Sequence, residues 1–256
     1  MPADTAIGHV VLTLLFHGFE KLRRIRFWRL KLISRNAEIR VSFSALLRIA
    51  NGGRYVLVRN LHRPEVFSPF GGVYKFYEGA RGDLDTMLFR PQDVGSSHDM
   101  RNDLRGFLPR KNLGKFVKWF TRNTDRESAA ECLNRELLEE LQEIKLISTL
   151  PTLRPPSHLE VKKVRAVEEG PEEVPGRNYI QFRIFEVFDI IPHNADCLRF
   201  LEELVNASDN HPDLVLADSS DVVVGRCSDG RVIAHLAAYL VSKKRIRPDV
   251  APFAGS

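Results

Sequence analysis

From Ile39 to Ile49 the chain is rich in β-branched and aliphatic residues, and from Arg54 to Arg59 it is so again, with Asn51-Gly52-Gly53 between the two runs. Asn-Gly tolerates the positive φ that a tight turn demands, so this pattern predicts an antiparallel hairpin. Glu160 to Glu168 and Asn178 to Asp189 read as two further strands joined by the Gly/Pro/Glu-rich link Glu169 to Arg177, and Ile180, Phe182 and Ile184 alternate on one face. Helical spacing appears where Leu113, Phe116, Val117 and Phe120 make a core stripe. Asp196 is placed to cap a helix carrying Leu198, Leu201, Leu204 and Val205. A last helix is predicted from near Asp229, with Ile233, Leu236, Ala237 and Leu240 at i, i+3, i+4 and i+7, and Pro248 closing the tail. Strands with interspersed helices, partly antiparallel, predict an α/β fold: a layered α/β/α sandwich with a mixed β-sheet.

At 256 residues and 43% hydrophobic, the chain is long enough to bury a substantial core as one domain. Cys132, Cys197 and Cys227 lie far apart with no Cys-x-x-Cys pair, which argues against a zinc site or a disulfide framework and fits a reducing cytosol. The formal net charge of +5 comes from one place. Lys21, Arg23, Arg24, Arg26, Arg29, Lys31 and Arg35 stand against Glu20 alone, interleaved with Phe27, Trp28, Leu30, Leu32 and Ile33, so the remainder of the chain is near neutral. That composition suits a membrane interface, a nucleic-acid backbone or a partner helix, and equally a basic helix lying on its own domain. The preceding run Ile7 to Phe19 falls short of the ~20 apolar residues a spanning helix needs, and it has no basic leader or small-residue cleavage site. Residues 1–35 are therefore expected to form an apolar and basic segment with membrane-surface contact through 7–35, on a cytoplasmic protein associated with the inner face of the membrane. A domain over 36–245 and a tail over 246–256 complete the expected organisation.

The densest chemistry lies between Glu127 and Glu140. On a helix Glu136 stands i, i+3 and i, i+4 from Glu139 and Glu140, which crowds three carboxylates on one face. Like charges that close repel, and a hard divalent cation that takes oxygen ligands relieves the repulsion. Arg135 is spaced to pair with Glu139 at i, i+4 or to reach Glu127 two turns back. The plainer alternative is the solvated acidic face of an ordinary amphipathic helix. Upstream, Arg101, Arg105, Arg110, Lys111, Lys115, Lys118 and Arg122 stand against Asp103 alone, a composition suited to a polyanion carrying phosphates, or to a docked helix with a solvated basic side. Trp119 is suited to stacking on a base or to packing.

The run Glu-x7-Arg-Glu-Leu-x-Glu-Glu from Glu127 to Glu140 resembles the Nudix box. The family's opening glycine is replaced by Thr121, but Phe67-Ser68-Pro69-Phe70-Gly71-Gly72-Val73-Tyr74 is similar to the glycine turn that leads into the box. The box therefore reads as split by a large insertion over about 75–123. After the helix, Gln142 and Glu143 stand where the family has glycine and an aliphatic residue. Val41-Ser42-Phe43, Gly71-Gly72-Val73-Tyr74-Lys75, Asp103-Leu104-Arg105-Gly106, Trp119-Phe120, Asp125-Arg126-Glu127, Gly225-Arg226 and Asp229-Gly230 together resemble the SMODS-associated Nudix domain, over about Arg24 to Val241.

The resemblance implies a bacterial protein that works beside a nucleotidyltransferase making oligonucleotide second messengers, in anti-phage defence. It implies Mg²⁺ or Mn²⁺ held by Glu136, Glu139 and Glu140, with Glu127 acting through water or by holding Arg135. The glycines Gly71 and Gly72 would let backbone approach phosphate, and Arg105, Lys111 and Lys115 would bind the nucleotide or cyclic oligonucleotide. A further acidic base is expected from Glu168, Glu169, Glu172 or Glu173. Three readings stay open: a metal-dependent Nudix hydrolase, a non-hydrolysing cyclic-nucleotide sensor coupled to the N-terminal segment, and a basic adaptor with a vestigial site. Many Nudix proteins dimerise, so a homodimer is expected by analogy.

Overall fold

Strand β1 (Glu38–Leu47) is buried at most positions along both faces although Arg40, Ser42 and Ser44 alternate with its apolar residues, as befits a central strand. The computed structural model describes residues 37–61, 63–92, 102–174 and 176–244. The expected N-terminal segment, Arg101 and the tail with Pro248 lie outside them. The strands that follow are β2 (Ala50–Asn51), β3 (Arg54–Asn60), β4 (Arg63–Ser68) and β5 (Gly71–Val73). Helix α1 (Arg81–Thr86), β6 (Arg90–Pro91), β7 (Arg105–Pro109) and α2 (Leu113–Arg122) fill the insertion. Then come α3 (Ala129–Glu143), α4 (Leu146–Thr149), β8 (Val161–Glu173), β9 (Ile180–Ile190), α5 (Ala195–Ser208), β10 (Leu214–Asp218), α6 (Ser219–Val224) and β11 (Val232–Ile233).

Among the described residues these strands make two sheets. One has the order β6-β7-β1-β9-β8, with β5 also on β1; the other has the order β10-β3-β4-β11, with β2 on β3. The first sheet is mixed, since β1 runs parallel to β9 from Ile39↔Ile180 to Leu47↔Phe188 and antiparallel to β7 and β5. The turn at Asn51-Gly52-Gly53 forms, with Gly52 and Gly53 at φ 58° and 81°, but only Ala50–Asn51 pairs with β3; the expected partner strand, β1, lies in the other sheet. The mixed α/β architecture is that of a Nudix-like sandwich.

The insertion is closed at its base and woven into the main core. Glu127 N donates to Lys75 O at 2.9 Å, Tyr77 N to Asp125 O at 2.8 Å, and Phe76 bridges to Arg126, so the two ends of the excursion lie side by side. Between them β7 pairs with β1, and α2 lays Phe116 and Phe120 on Phe43, ring centroids 5.3 and 4.6 Å apart. Trp119 is buried against Phe116 at 5.7 Å, so it packs and is not available to stack on a base. Lys115, Lys118 and Arg122 occupy the exposed side of α2, and Lys111 is exposed in the 3-10 turn just before it.

Three further expectations need correction. The cap of α5 is Asn194, whose side-chain oxygen accepts from Cys197 N at 2.8 Å; Asp196 lies in the first turn, where its charge still suits the helix dipole. Of the expected stripe, Leu204 is buried and Leu201 and Val205 are partly buried against the core, whereas Leu198 is 49% exposed and Cys197 and Phe200 complete the buried face. The link Glu169 to Arg177 is mostly strand: β8 continues to Glu173, with an irregular register around Gly170 and Pro171 that an edge strand accommodates. No helix begins at Asp229. Its carboxylate takes Arg231 Nε at 2.6 Å in a turn, Val232–Ile233 join β4 as a parallel edge strand, and only His235–Leu240 coil, as a 3-10 turn. The apolar spacing was real, but Ile233 satisfies it from a strand, burying itself with Phe67, Val215 and Tyr239 in a second core.

Candidate functional site

Helix α3 is fixed at its start by a capping box. Glu131 N donates to Ser128 Oγ at 3.2 Å and Ser128 N donates to the Glu131 carboxylate at 2.7 Å. Its inner face buries Cys132, Leu133, Leu137 and Leu141, each apolar side chain worth about 1.5–3 kcal/mol on full burial. Beside that stripe Arg135, Glu136, Glu139 and Glu140 lie together on an adjoining, partly buried side, which faces the glycines of β5. Glu127 lies just before the capping Ser128 and not within the helix.

Arg135 is the hub of this side. Its Nε and Nη2 donate to the two oxygens of Glu127 at 2.8 and 2.9 Å, its Nη1 reaches Glu136 at 2.6 Å and Glu139 at 3.3 Å, and Nη2 also donates to Val73 O at 3.1 Å. Glu127 in turn accepts from Lys75 N at 2.9 Å. Burial alone would lower the Arg135 pKa, but the Glu127 and Glu136 carboxylates outweigh it and hold the guanidinium charged. Both alternatives left open for Arg135, pairing with Glu139 and with Glu127, are therefore realised at once.

Gly71 and Gly72 approach the carboxylates from β5. Gly71 N donates to Glu140 Oε2 at 3.1 Å, and Gly71 has φ 135°, a conformation open to glycine. A Cβ at Gly72 would overlap the carboxyl group of Glu136. Changing Gly72 to Ala is accordingly expected to push Glu136 off its position and cost about 1–3 kcal/mol, measurable as a lowered melting temperature together with weakened Mg²⁺ stabilisation.

Burial raises the pKa of Glu136, against the pull of Arg135, and raises that of Glu140 strongly, with the charge of Glu136 adding to it. Asp103, brought opposite Lys75 by a β-bridge, is pushed up to about 6 by burial although Arg105 and Lys75 oppose the shift. Five carboxylates thus gather around Arg135, Lys75 and Arg105. An oxygen-only donor set with unrelieved negative charge, against a backbone stripped of Cβ, fits a hard divalent cation. The residues that would hold it are Glu136, Glu139 and Glu140.

Arg105 connects this cluster to a face of the main sheet that the sequence reading did not single out. Ser42 of β1 pairs with Arg105 on one side and Arg183 on the other, while Arg40 pairs with Phe107 and Gln181. Paired residues point to the same face, so Arg40, Arg105 and Arg183 share it. Burial lowers the Arg40 pKa, and the charges of Arg105 and Arg183 lower it further. Arg40 is held by Gln92 and Gln181, both at 2.9 Å, Arg105 by Asp103 at 3.3 Å, and Arg183 by Glu169, which also accepts from Tyr239. The signal was present as the polar half of two alternations, Ile39-Arg40-Val41-Ser42-Phe43 and Ile180-Gln181-Phe182-Arg183-Ile184, but only strand pairing shows that the two coincide.

The other expected residues are placed as follows. Lys115 belongs to α2 and Lys111 to the 3-10 turn just before it; α2 packs on Phe43 and so covers the side of the sheet opposite Arg105, and the basic insert divides between two faces. Of the proposed distant acids, Glu169 is committed to Arg183 and Tyr239, and its pairing with Arg183 puts it on the same face as Arg40 and Arg105. Asp103, overlooked as a candidate, is the acid that stands within electrostatic reach of Glu136 and Arg135.

The SMODS-associated NUDIX domain family matches residues 38–241. The chain belongs to that family. No curated protein and no solved structure matches it.

Proposed function

We propose that the chain is a divalent-metal-dependent Nudix-type domain of bacterial anti-phage signalling, which binds a nucleotide or oligonucleotide second messenger and hydrolyses a phosphoanhydride or phosphodiester linkage in it. The observation that carries this is the gathering of Glu136, Glu139 and Glu140 against the Cβ-free turn Gly71-Gly72, with the buried guanidinium of Arg135 orienting them. When bound, Mg²⁺ or Mn²⁺ neutralises bridging phosphate oxygens and acidifies an attacking water. The chain's own residues supply the rest. Arg135 fixes the carboxylates in register, Gly71 and Gly72 admit phosphate close to the backbone, and Asp103 is an acid able to take a proton near neutral pH. Arg40, Arg105 and Arg183 form a cationic floor for further phosphates, suited to a ligand longer than a mononucleotide. The exposed lysines of α2 and of the turn before it, Lys115 and Lys111 among them, attract a polyanion from solution.

The alternative is a sensor that binds a cyclic oligonucleotide without cutting it. It is favoured by one feature, that Glu169, one of the four expected distant acids, is occupied by Arg183. A panel of linear and cyclic nucleotides with Mg²⁺ separates the two: stabilisation followed by product formation is expected, with both lowered in Arg105→Ala. Stabilisation without any product under Mg²⁺ or Mn²⁺ would favour the sensor, and no stabilisation by any nucleotide would remove both. Links to a nucleotidyltransferase, to the membrane and to a second copy of the chain are proposals of the same reading. Among the described residues no helix is long and apolar enough to cross a membrane.

A further inference from the structure

A second donor set of different chemistry lies away from the carboxylate helix. His158, Glu160 and His193 bring one ligand atom each within 4.8 Å of one another. The two imidazole rings stack with centroids 4.8 Å apart and planes at 27°. Two separate pieces of backbone deliver them, 158–160 and the residue before the cap of α5. Ile191 N donates to Glu160 O at 2.8 Å, extending the β8–β9 ladder one step beyond Val161↔Ile190 and so fixing Glu160 at the strand end. His193 immediately precedes the Asn194 cap of α5. His158 comes from the loop that descends from the catalytic helix and α4 toward β8.

The set carries an unmet demand. Nδ1 of His193 is buried and has no hydrogen-bond partner, and no hydrogen bond or ion pair joins the three side chains among the described contacts. A stacked histidine pair that served packing alone would be expected to donate to its neighbouring carboxylate. Here three ligand atoms lie close together without bonding one another. They do so at the rim of a cleft of about 770 Å³, lined also by Arg154, Arg199 and Phe200.

We propose that His158, Glu160 and His193 bind a transition-metal ion of the zinc class, which clamps the loop before β8 to the start of α5 and leaves a fourth position open to the cleft. Two imidazole nitrogens and one carboxylate oxygen select a borderline ion such as Zn²⁺ over Mg²⁺, whereas the oxygen-only set on α3 selects the reverse. Zinc bonds of about 2.0–2.1 Å place tetrahedral ligand atoms roughly 3.3 Å apart. His158 and Glu160 are both exposed, and it is their side chains that would turn inward to close that difference. Cysteine spacing, which argues against a thiolate zinc site, does not bear on a site with no thiolate.

Cobalt titration of the full chain tests this independently of any nucleotide activity. Wild-type protein is expected to take up about one Co²⁺ with the strong visible absorption of a four-coordinate site, at a dissociation constant below ~10 μM, and to lose that absorption when Zn²⁺ is added but not when excess Mg²⁺ is. His158→Ala and His193→Ala should abolish the band while leaving the metal-free melting temperature within about 2 °C, because His158 is exposed and neither side chain is bonded. Glu136→Gln with Glu140→Gln should leave the band intact, which separates this site from the one on α3. An unchanged band in the His158→Ala, His193→Ala double variant, or no four-coordinate band in wild type, would overturn the proposal.

Discussion

Replacing Glu140 by Gln is expected to raise the melting temperature of the metal-free protein at pH 8 by about 2–4 °C, the shift that ~1 kcal/mol produces in a domain of this size, and to lower Mg²⁺-dependent turnover by about 10³-fold. The two effects share a cause. Burial and the neighbouring Glu136 raise the folded-state pKa of Glu140 above its ordinary value, and burial raises that of Glu136. A carboxyl whose pKa is raised on folding binds more protons in the folded state, so stability falls as pH climbs from the unfolded pKa through the folded one. Asp103 adds a contribution of the same sign over the window from 3.8 to about 6. Glutamine imitates the protonated form, and its advantage should fade below the ordinary carboxylate pKa, near pH 4. Mg²⁺ binds the ionised carboxylates, so its stabilisation of wild type should grow with pH, and the Gln variant should lack it. Thermal melts from pH 4 to 8 with and without Mg²⁺ read all of this. A Gln variant less stable than wild type at pH 8 without metal would mean the carboxylate is satisfied by the protein itself and serves structure.

The acidic helix was legible because its information is local. Glu136, Glu139 and Glu140 share a helix face by spacing alone, and the eight-residue reach from Glu127 to Arg135 is two turns; the structure alters only the detail that Glu127 sits before the cap. The turn at Asn51-Gly52-Gly53 was legible for the same reason. What escaped depends on pairings between distant segments. Arg40 and Arg183 lie 143 positions apart and meet because β1 runs parallel to β9. Asp103 looked like the single anion in a basic stretch; its bridge to Lys75 makes it a neighbour of Glu136. The misread helix at Asp229 and the misplaced cap at Asp196 are failures of a different kind. At both places the local pattern admits two answers, and the choice is made by a sheet edge in one case and by the competing side chain of Asn194 in the other.

Arg135→Ala is expected to be the most destabilising single change at the site, about 3–5 kcal/mol, because removing one partner of a buried ion pair leaves the other charge uncompensated. The stranded group is Glu127, whose side chain is 9% exposed and receives both Nε and Nη2 of Arg135. Its other donor, Lys75 N, is a single amide and does not replace the charge. Glu136 loses its bond at 2.6 Å as well, and the Val73 carbonyl loses a donor, so the variant loosens the helix and the glycine strand from each other at once. Urea unfolding should show the loss as a shift in midpoint at constant slope. Arg135→Lys should recover only part of it, since a lysine ammonium cannot bond both oxygens of Glu127 in the planar, two-pronged manner of a guanidinium. Adding Glu127→Gln to Arg135→Ala should return more stability than the lysine does, because it removes the buried charge itself. A double variant no more stable than Arg135→Ala would show that the arginine acts by packing and carbonyl bonding, not by neutralising Glu127.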